Sequence, residues 1–191
     1  MDTLSHGLWG SIFFGRKIRK DFWIAFLFGV LPDLLSFGVY MAGSWIGIFD
    51  HPSFSSGEHP LPSEFPAFVN ILYNNTHSLA IVLFATGIVW LIWKKIYWPM
   101  MAWPLHILYD IPTHSATFFP TPFLWPLSNF HVQGALWSQP YIFFPNWIAL
   151  LVCLYWFFLR PRRQRKNSLP ETLRVSLRAG GETAAREKLS L

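Results

Sequence analysis

Charge is what this chain lacks most: only 13% of its 191 residues are Asp, Glu, Lys or Arg, against about 25% in ordinary soluble domains. That leaves too few charged side chains to cover a soluble surface. A single cysteine, Cys153, excludes an intrachain disulfide and a cysteine metal site, and its place in an apolar stretch makes it a packing residue. Basic residues are missing altogether from 21–93 and from 96–159. The opening stretch has no basic n-region, so a cleavable signal peptide is not expected. Neither a Ser-His-Asp motif nor a reactive cysteine is there to supply a protein nucleophile.

What is there instead is apolar sequence, 52% hydrophobic and 19% aromatic. Segments 22–43, 76–93, 96–115 and 140–159 each run to roughly 20 mostly apolar residues, enough to cross about 30 Å of hydrocarbon as helix. A fifth, 4–15, is too short to span and reads as a helix dipping into one leaflet or packed against the others. The expected fold is all-α: a polytopic membrane protein with four spanning helices plus a short N-terminal helix. Residues 1–160 would form the membrane domain, and 161–191 a basic tail, a short helix or disordered.

The Lys and Arg residues cluster in 16–20 (RKIRK), 94–95 (KK), 160–166 (RPRRQRK) and the tail beyond. Short loops rich in Lys and Arg stay cytoplasmic. With 16–20 inside, the four spans return every cluster to the same side. The expected location is therefore a bacterial inner membrane, with a cytoplasmic C-terminus. Anionic headgroups account for the net charge of +5 without a nucleic-acid partner. The loops 44–66 and 116–139 fall outside, rich in Pro, Ser, Phe and Trp.

Against this background the polar residues stand out. Residues 106–115 read HILYDIPTHS, which spaces His106, Asp110 and His114 four apart. His106 and Asp110 then share one helical face, while Pro112 is expected to break or kink the helix before His114. Asp33 lies about 11 residues into 22–43, roughly 16 Å along the helix. His77 starts the third span at its outer end, with Asn75 or Thr76 as N-cap, and His6 starts the short segment there too. Ionisable residues inside spans cost roughly 3 kcal/mol or more on insertion scales, and no Arg or Lys is available at this depth. Protonation, histidinium or a metal cation must compensate. Two carboxylates with four imidazoles favour a divalent metal, zinc or manganese, with His6, Asp33, His77, His106, Asp110 and His114 as candidate ligands. His51, His59 and His131 belong to the outer loops. His131 is the loop histidine best placed to reach the site, and Glu58 or Glu64 could fold over its mouth.

Leu31-Pro32-Asp33, Thr76-His77-Ser78-Leu79, His106-Ile107-Leu108-Tyr109-Asp110 and Phe123-Leu124-Trp125-Pro126-Leu127 together resemble the predicted membrane-bound metal-dependent hydrolases, an inner-membrane family with members regulated by the LexA repressor. The resemblance covers residues 1–160. It implies a helical membrane protein with a His/Asp metal site at Asp33, His77, His106 and Asp110, and at His6 more weakly. The chain departs from that pattern in three places. Leu35 stands where a second acid is common, Leu72-Tyr73-Asn74 stands where His-Arg-Gly is common, and His114 is additional.

The function expected from these residues is hydrolysis of a membrane lipid or other amphiphilic ester or phosphoester by metal-activated water. His6 and His114 are the acid/base candidates. A proton- or ion-coupled transporter using the same cluster, or a scaffold with a structural metal, are the alternatives. Few spans and no inverted repeat count against transport.

Overall fold

A computed structural model describes residues 1–51 and 62–160. His59, Glu58 and the expected tail 161–191 lie outside the described residues. Among those described, every regular element is helical. The short N-terminal segment is α1 (Thr3–Gly10), continued by a π turn, Ser11–Gly15. Asp2 caps α1 by accepting from the Ser5 amide at 2.9 Å and the Ser5 hydroxyl at 2.6 Å, which satisfies donors that a helix start leaves open.

Helix α2 (Arg19–Asp33) passes through a π turn at Leu34–Gly38 into α3 (Val39–Trp45). Together they form one 27-residue apolar run, Arg19–Trp45. Helices α4 (Ala67–Thr76) and α5 (Leu79–Trp93) meet at a 57° bend. Ser78, rather than Asn75 or Thr76, caps α5, accepting from the Ile81 amide at 3.2 Å. After a 3-10 segment at Trp98–Met101 comes α6 (Ala102–Thr113). Helix α7 (Pro140–Leu154) runs on through a π turn to Leu159, 20 residues in all.

Among the described residues, two helices are long and apolar enough to cross a membrane, and a third if the bent pair α4–α5 is one span. The expected span 96–115 is shorter than its composition suggests. Its 12-residue helix α6 reaches roughly 18 Å at helical rise, well under the hydrocarbon thickness of about 30 Å. Pro99 and Pro104 withhold backbone donors at its start, and the chain becomes extended at His114. Pro112 does not end α6, which runs one residue further, to Thr113.

The polarity of the packing is inverted relative to a soluble domain. Phe84 on α5 is 72% exposed and Leu151 on α7 is 60% exposed, while His6, His77, His106, Asp110 and several serines are buried. Exposed apolar surface on this scale marks a face that contacts membrane or another protein. The interior is closed at one end by an aromatic cluster of Tyr40, Tyr73 and Phe119 with Phe37 and Phe65, whose rings meet mostly edge to face.

Helix α1 lies on α2 because both present glycine. A Cβ on Gly29 would stand 2.6 Å from the His6 carbonyl oxygen and 2.9 Å from the Gly7 Cα. Small residues let helix backbones approach in this way. Gly29→Ala is therefore expected to destabilise the protein by about 1–3 kcal/mol, the usual cost of overpacking. A lower thermal midpoint in detergent would register it; an unchanged midpoint would show that the contact carries no constraint.

Candidate metal centre

Four elements deliver the polar side chains to one place. Asp33 closes α2, just after Pro32 and before a π turn, a distortion often found at functional sites. His77 occupies the elbow between α4 and α5. His106 and Asp110 project from one face of α6, and His6 comes from α1. The elbow is tied down on several sides. Thr76 donates to the Leu72 carbonyl at 2.8 Å and the Pro32 carbonyl at 3.3 Å, and the Trp103 indole donates to the Thr76 carbonyl at 2.8 Å. The Leu79 amide donates to the Phe123 carbonyl at 2.9 Å, and the Ser78 hydroxyl to the Trp125 carbonyl. The segment Phe123–Leu127 is thus a brace for His77.

Asp33, His77, His106 and Asp110 bring one ligand atom each within 4.8 Å of the others, a group that could hold a metal ion. His77 Nε2 lies 3.1 Å from His106 Nε2, 3.4 Å from Asp33 Oδ1 and 3.6 Å from Asp110 Oδ2. His106 Nε2 lies 3.0 Å from Asp110 Oδ2 and 3.6 Å from Asp33 Oδ1. Zinc bonds of about 2.0–2.1 Å in tetrahedral geometry put ligand atoms about 3.3 Å apart. Five of the six edges of this set fall at 3.0–3.6 Å.

The hydrogen positions sharpen the point. A carbonyl oxygen only accepts, so the ring nitrogen facing it carries the hydrogen. His106 Nδ1 donates to the Gly29 carbonyl at 2.6 Å, and His77 Nδ1 donates to the Tyr73 carbonyl at 3.1 Å. In the neutral rings both Nε2 atoms then present lone pairs, 3.1 Å apart, beside two carboxylates. Either a proton on one Nε2 or a cation must lie between them. Asp110 Oδ2, 3.0 Å from His106 Nε2, is fully buried and accepts no aligned hydrogen bond. The contact has the length of a hydrogen bond without its alignment, and two ligands of one ion stand at a similar spacing. Outer carbonyls that fix the tautomer are also usual behind metal-bound histidine.

Asp33 completes the set from the edge. Its side chain is 12% exposed, and its Oδ2 accepts from the Thr3 hydroxyl at 2.6 Å. That leaves Oδ1 for the centre.

His6 and His114 lie beside the four-residue group, against the other oxygen of Asp110. His6 Nε2 is 2.9 Å from Asp110 Oδ1, and His114 Nε2 is 3.6 Å from it. The His6 ring stacks on His106 with centroids 3.7 Å apart; its Nδ1 has no hydrogen-bond partner, and its Nε2 makes no aligned hydrogen bond to the Asp110 oxygen it faces. Burial pushes the His6 imidazole down to about 3, against the pull of the Asp110 carboxylate, so the ring is neutral. His114 is fixed by the Phe119 carbonyl, 2.8 Å from Nδ1, and by the Tyr73 hydroxyl at 2.9 Å.

One cation escapes a count of Lys and Arg. The Met1 ammonium donates to Asp110 Oδ1 and to the Thr113 hydroxyl, the latter at 3.0 Å. Asp110 is therefore not without a basic neighbour, and the expectation that none is available at this depth is corrected. The ammonium sits on Oδ1, however, and leaves Oδ2 to the four-residue group.

A cavity of about 290 Å³ opens onto this region, lined by Asp33, His114, Phe37, Phe119 and Trp137 among others. A larger cavity of about 510 Å³, lined by Arg16, Arg19, Phe22 and Phe158 among others, touches none of the cluster. His131 is exposed, with its Nδ1 3.2 Å from the Asn129 carbonyl oxygen, and does not reach the site. The backbone that follows it is pinned to the end of α6: Gly134, Ala135 and Trp137 donate to the carbonyls of His114, Pro112 and Thr113 at 3.0 Å each. His51 and Glu64 are exposed as well. No family model, curated protein or solved structure matches this chain.

Proposed function

We propose that the protein is a membrane-embedded, metal-dependent hydrolase of a lipid-like or other membrane-associated ester or phosphoester, of the kind its sequence motifs resemble. The observation that carries this reading is the convergence of Asp33 Oδ1, His77 Nε2, His106 Nε2 and Asp110 Oδ2 with ligand spacings and no hydrogen bonds to Asp110 Oδ2. These four residues would hold one divalent ion. Imidazole and carboxylate suit zinc or manganese. When bound, such an ion activates water for attack and polarises the ester or phosphoryl oxygen.

The chain's own residues supply the rest. Gly29 and Tyr73 orient the two imidazoles through their carbonyls, and Thr3 holds Asp33. The aromatic wall of Phe37, Phe119 and Trp137 would seat the apolar part of an amphiphile and keep bulk water from the reacting group. Asp33 borders both the cavity and the centre, so a headgroup entering by this route reaches the cluster from Asp33's side. The bacterial inner membrane, with Lys and Arg clusters facing the cytoplasm, is the location consistent with the charge pattern.

The test is turnover. Detergent-purified protein is expected to hydrolyse chromogenic acyl or phosphate esters, to lose activity on chelation, to recover it with zinc or manganese, and to be inactive as His106→Ala. Turnover indifferent to chelation and to His106→Ala would reject the reading. Asp33-dependent flux across proteoliposomes without any metal would favour a transporter.

A further inference from the structure

We propose that Asp110 bridges two metal ions, the second held by Asp110 Oδ1, His6 Nε2 and His114 Nε2. This rests on the metal reading of the four-residue centre and deepens it. The two carboxylate oxygens face different pairs of imidazoles. Oδ2 has His106 at 3.0 Å and His77 at 3.6 Å, whereas Oδ1 has His6 at 2.9 Å and His114 at 3.6 Å. The second pair of distances to the carboxylate repeats the first, and both bracket the roughly 3.3 Å separation of ligands on one ion.

The protonation pattern repeats too. His114 Nδ1 faces the Phe119 carbonyl at 2.8 Å, as His106 Nδ1 faces Gly29 and His77 Nδ1 faces Tyr73. Each of the three rings gives its hydrogen to a main-chain oxygen and turns a bare Nε2 towards an aspartate. His6 is buried, its Nε2 facing Asp110 Oδ1 at 2.9 Å without hydrogen-bond alignment and its Nδ1 without a partner, an arrangement that an ion between Nε2 and Oδ1 would satisfy. A helix that needed only an apolar contact at this position would not carry an imidazole.

Two ions bridged by one carboxylate alter the chemistry the site suits. Paired metals roughly 3.5–4 Å apart serve in-line displacement at phosphorus, where they stabilise the attacking and leaving oxygens. His114 and Asp33 border the same cavity, one from each ligand set, so a substrate oxygen entering there would meet both halves of the site. The substrate class is accordingly narrowed to a phosphoester of an amphiphile.

Manganese bound per chain, with the electron paramagnetic resonance spectrum of the bound ion, decides the matter on the full chain in detergent. The wild type is expected to take up two Mn²⁺ per chain and to show an exchange-coupled pair, the Met1 ammonium being displaced from Oδ1. His6→Asn and His114→Asn are each expected to take up one and to show an isolated-ion spectrum. One Mn²⁺ per chain in the wild type with an isolated-ion spectrum would overturn the second site while leaving the four-residue centre standing. No bound Mn²⁺ at all would overturn both. If either variant fails to fold, stoichiometry and coupling in the wild type still decide.

Discussion

Asp110→Ala protein is expected to purify without metal at the four-residue centre, while wild type prepared alongside retains it. Asp110 is the residue with both carboxylate oxygens committed to imidazoles: Oδ2 to His106 and His77, and Oδ1 to His6 and His114. Removing it takes away a ligand and a full negative charge together. The loss of affinity should exceed the roughly 10–100-fold that follows loss of an outer-shell partner. Asp110→Asn separates charge from shape, since it preserves volume while exchanging one acceptor oxygen for an amide donor, and it is expected to lose metal as well. Elemental analysis of the two variants against wild type reads the result. Retention of wild-type metal by both would show that Asp110 is held by the Met1 ammonium and not by an ion.

The second large effect is on stability. Four buried acceptor atoms facing one another repel, and a cation between them removes that repulsion. A ligand that binds only the folded state at about 1,000 times its Kd stabilises by about 4 kcal/mol, which for a chain of this size corresponds to a thermal shift on the order of 10 °C. Chelator-treated protein should therefore melt well below the same sample reloaded with zinc or manganese, and Asp110→Ala should show no such difference. A melting temperature that ignores metal in the wild type would mean that the cluster is satisfied internally by protons.

Much of this was legible in the residues. The spacing of His106 and Asp110 places both on one helical face, and the cost of burying Asp33 and Asp110 away from Lys and Arg calls for a cation. The structure brings both acids and both imidazoles together as that reasoning requires. Span count was less legible: 96–115 has the composition of a membrane helix, but prolines at its start and an extended His114 leave a 12-residue helix. The π turns and the 57° elbow are set by tertiary packing and leave no periodicity to read.

The main-chain groups were invisible for a different reason. The carbonyls of Gly29, Tyr73 and Phe119 orient three histidines, yet a carbonyl has no letter of its own. The Met1 ammonium escaped a count of basic side chains for the same cause. Tyr73 and His114 are two positions where the chain departs from the pattern it resembles, and they touch: the Tyr73 hydroxyl is 2.9 Å from His114 Nδ1 and donates to the Phe119 carbonyl at 2.7 Å. Separated by 41 residues in sequence, they look like unrelated departures until the fold joins them.

The most direct measurement is anomalous diffraction from crystals of the detergent-purified protein at the zinc and manganese absorption edges. The account predicts a peak among Asp33 Oδ1, His77 Nε2, His106 Nε2 and Asp110 Oδ2, at about 2.0–2.2 Å from each. Density showing those four atoms bridged only by protons and water, with no anomalous signal after metal loading, would contradict it.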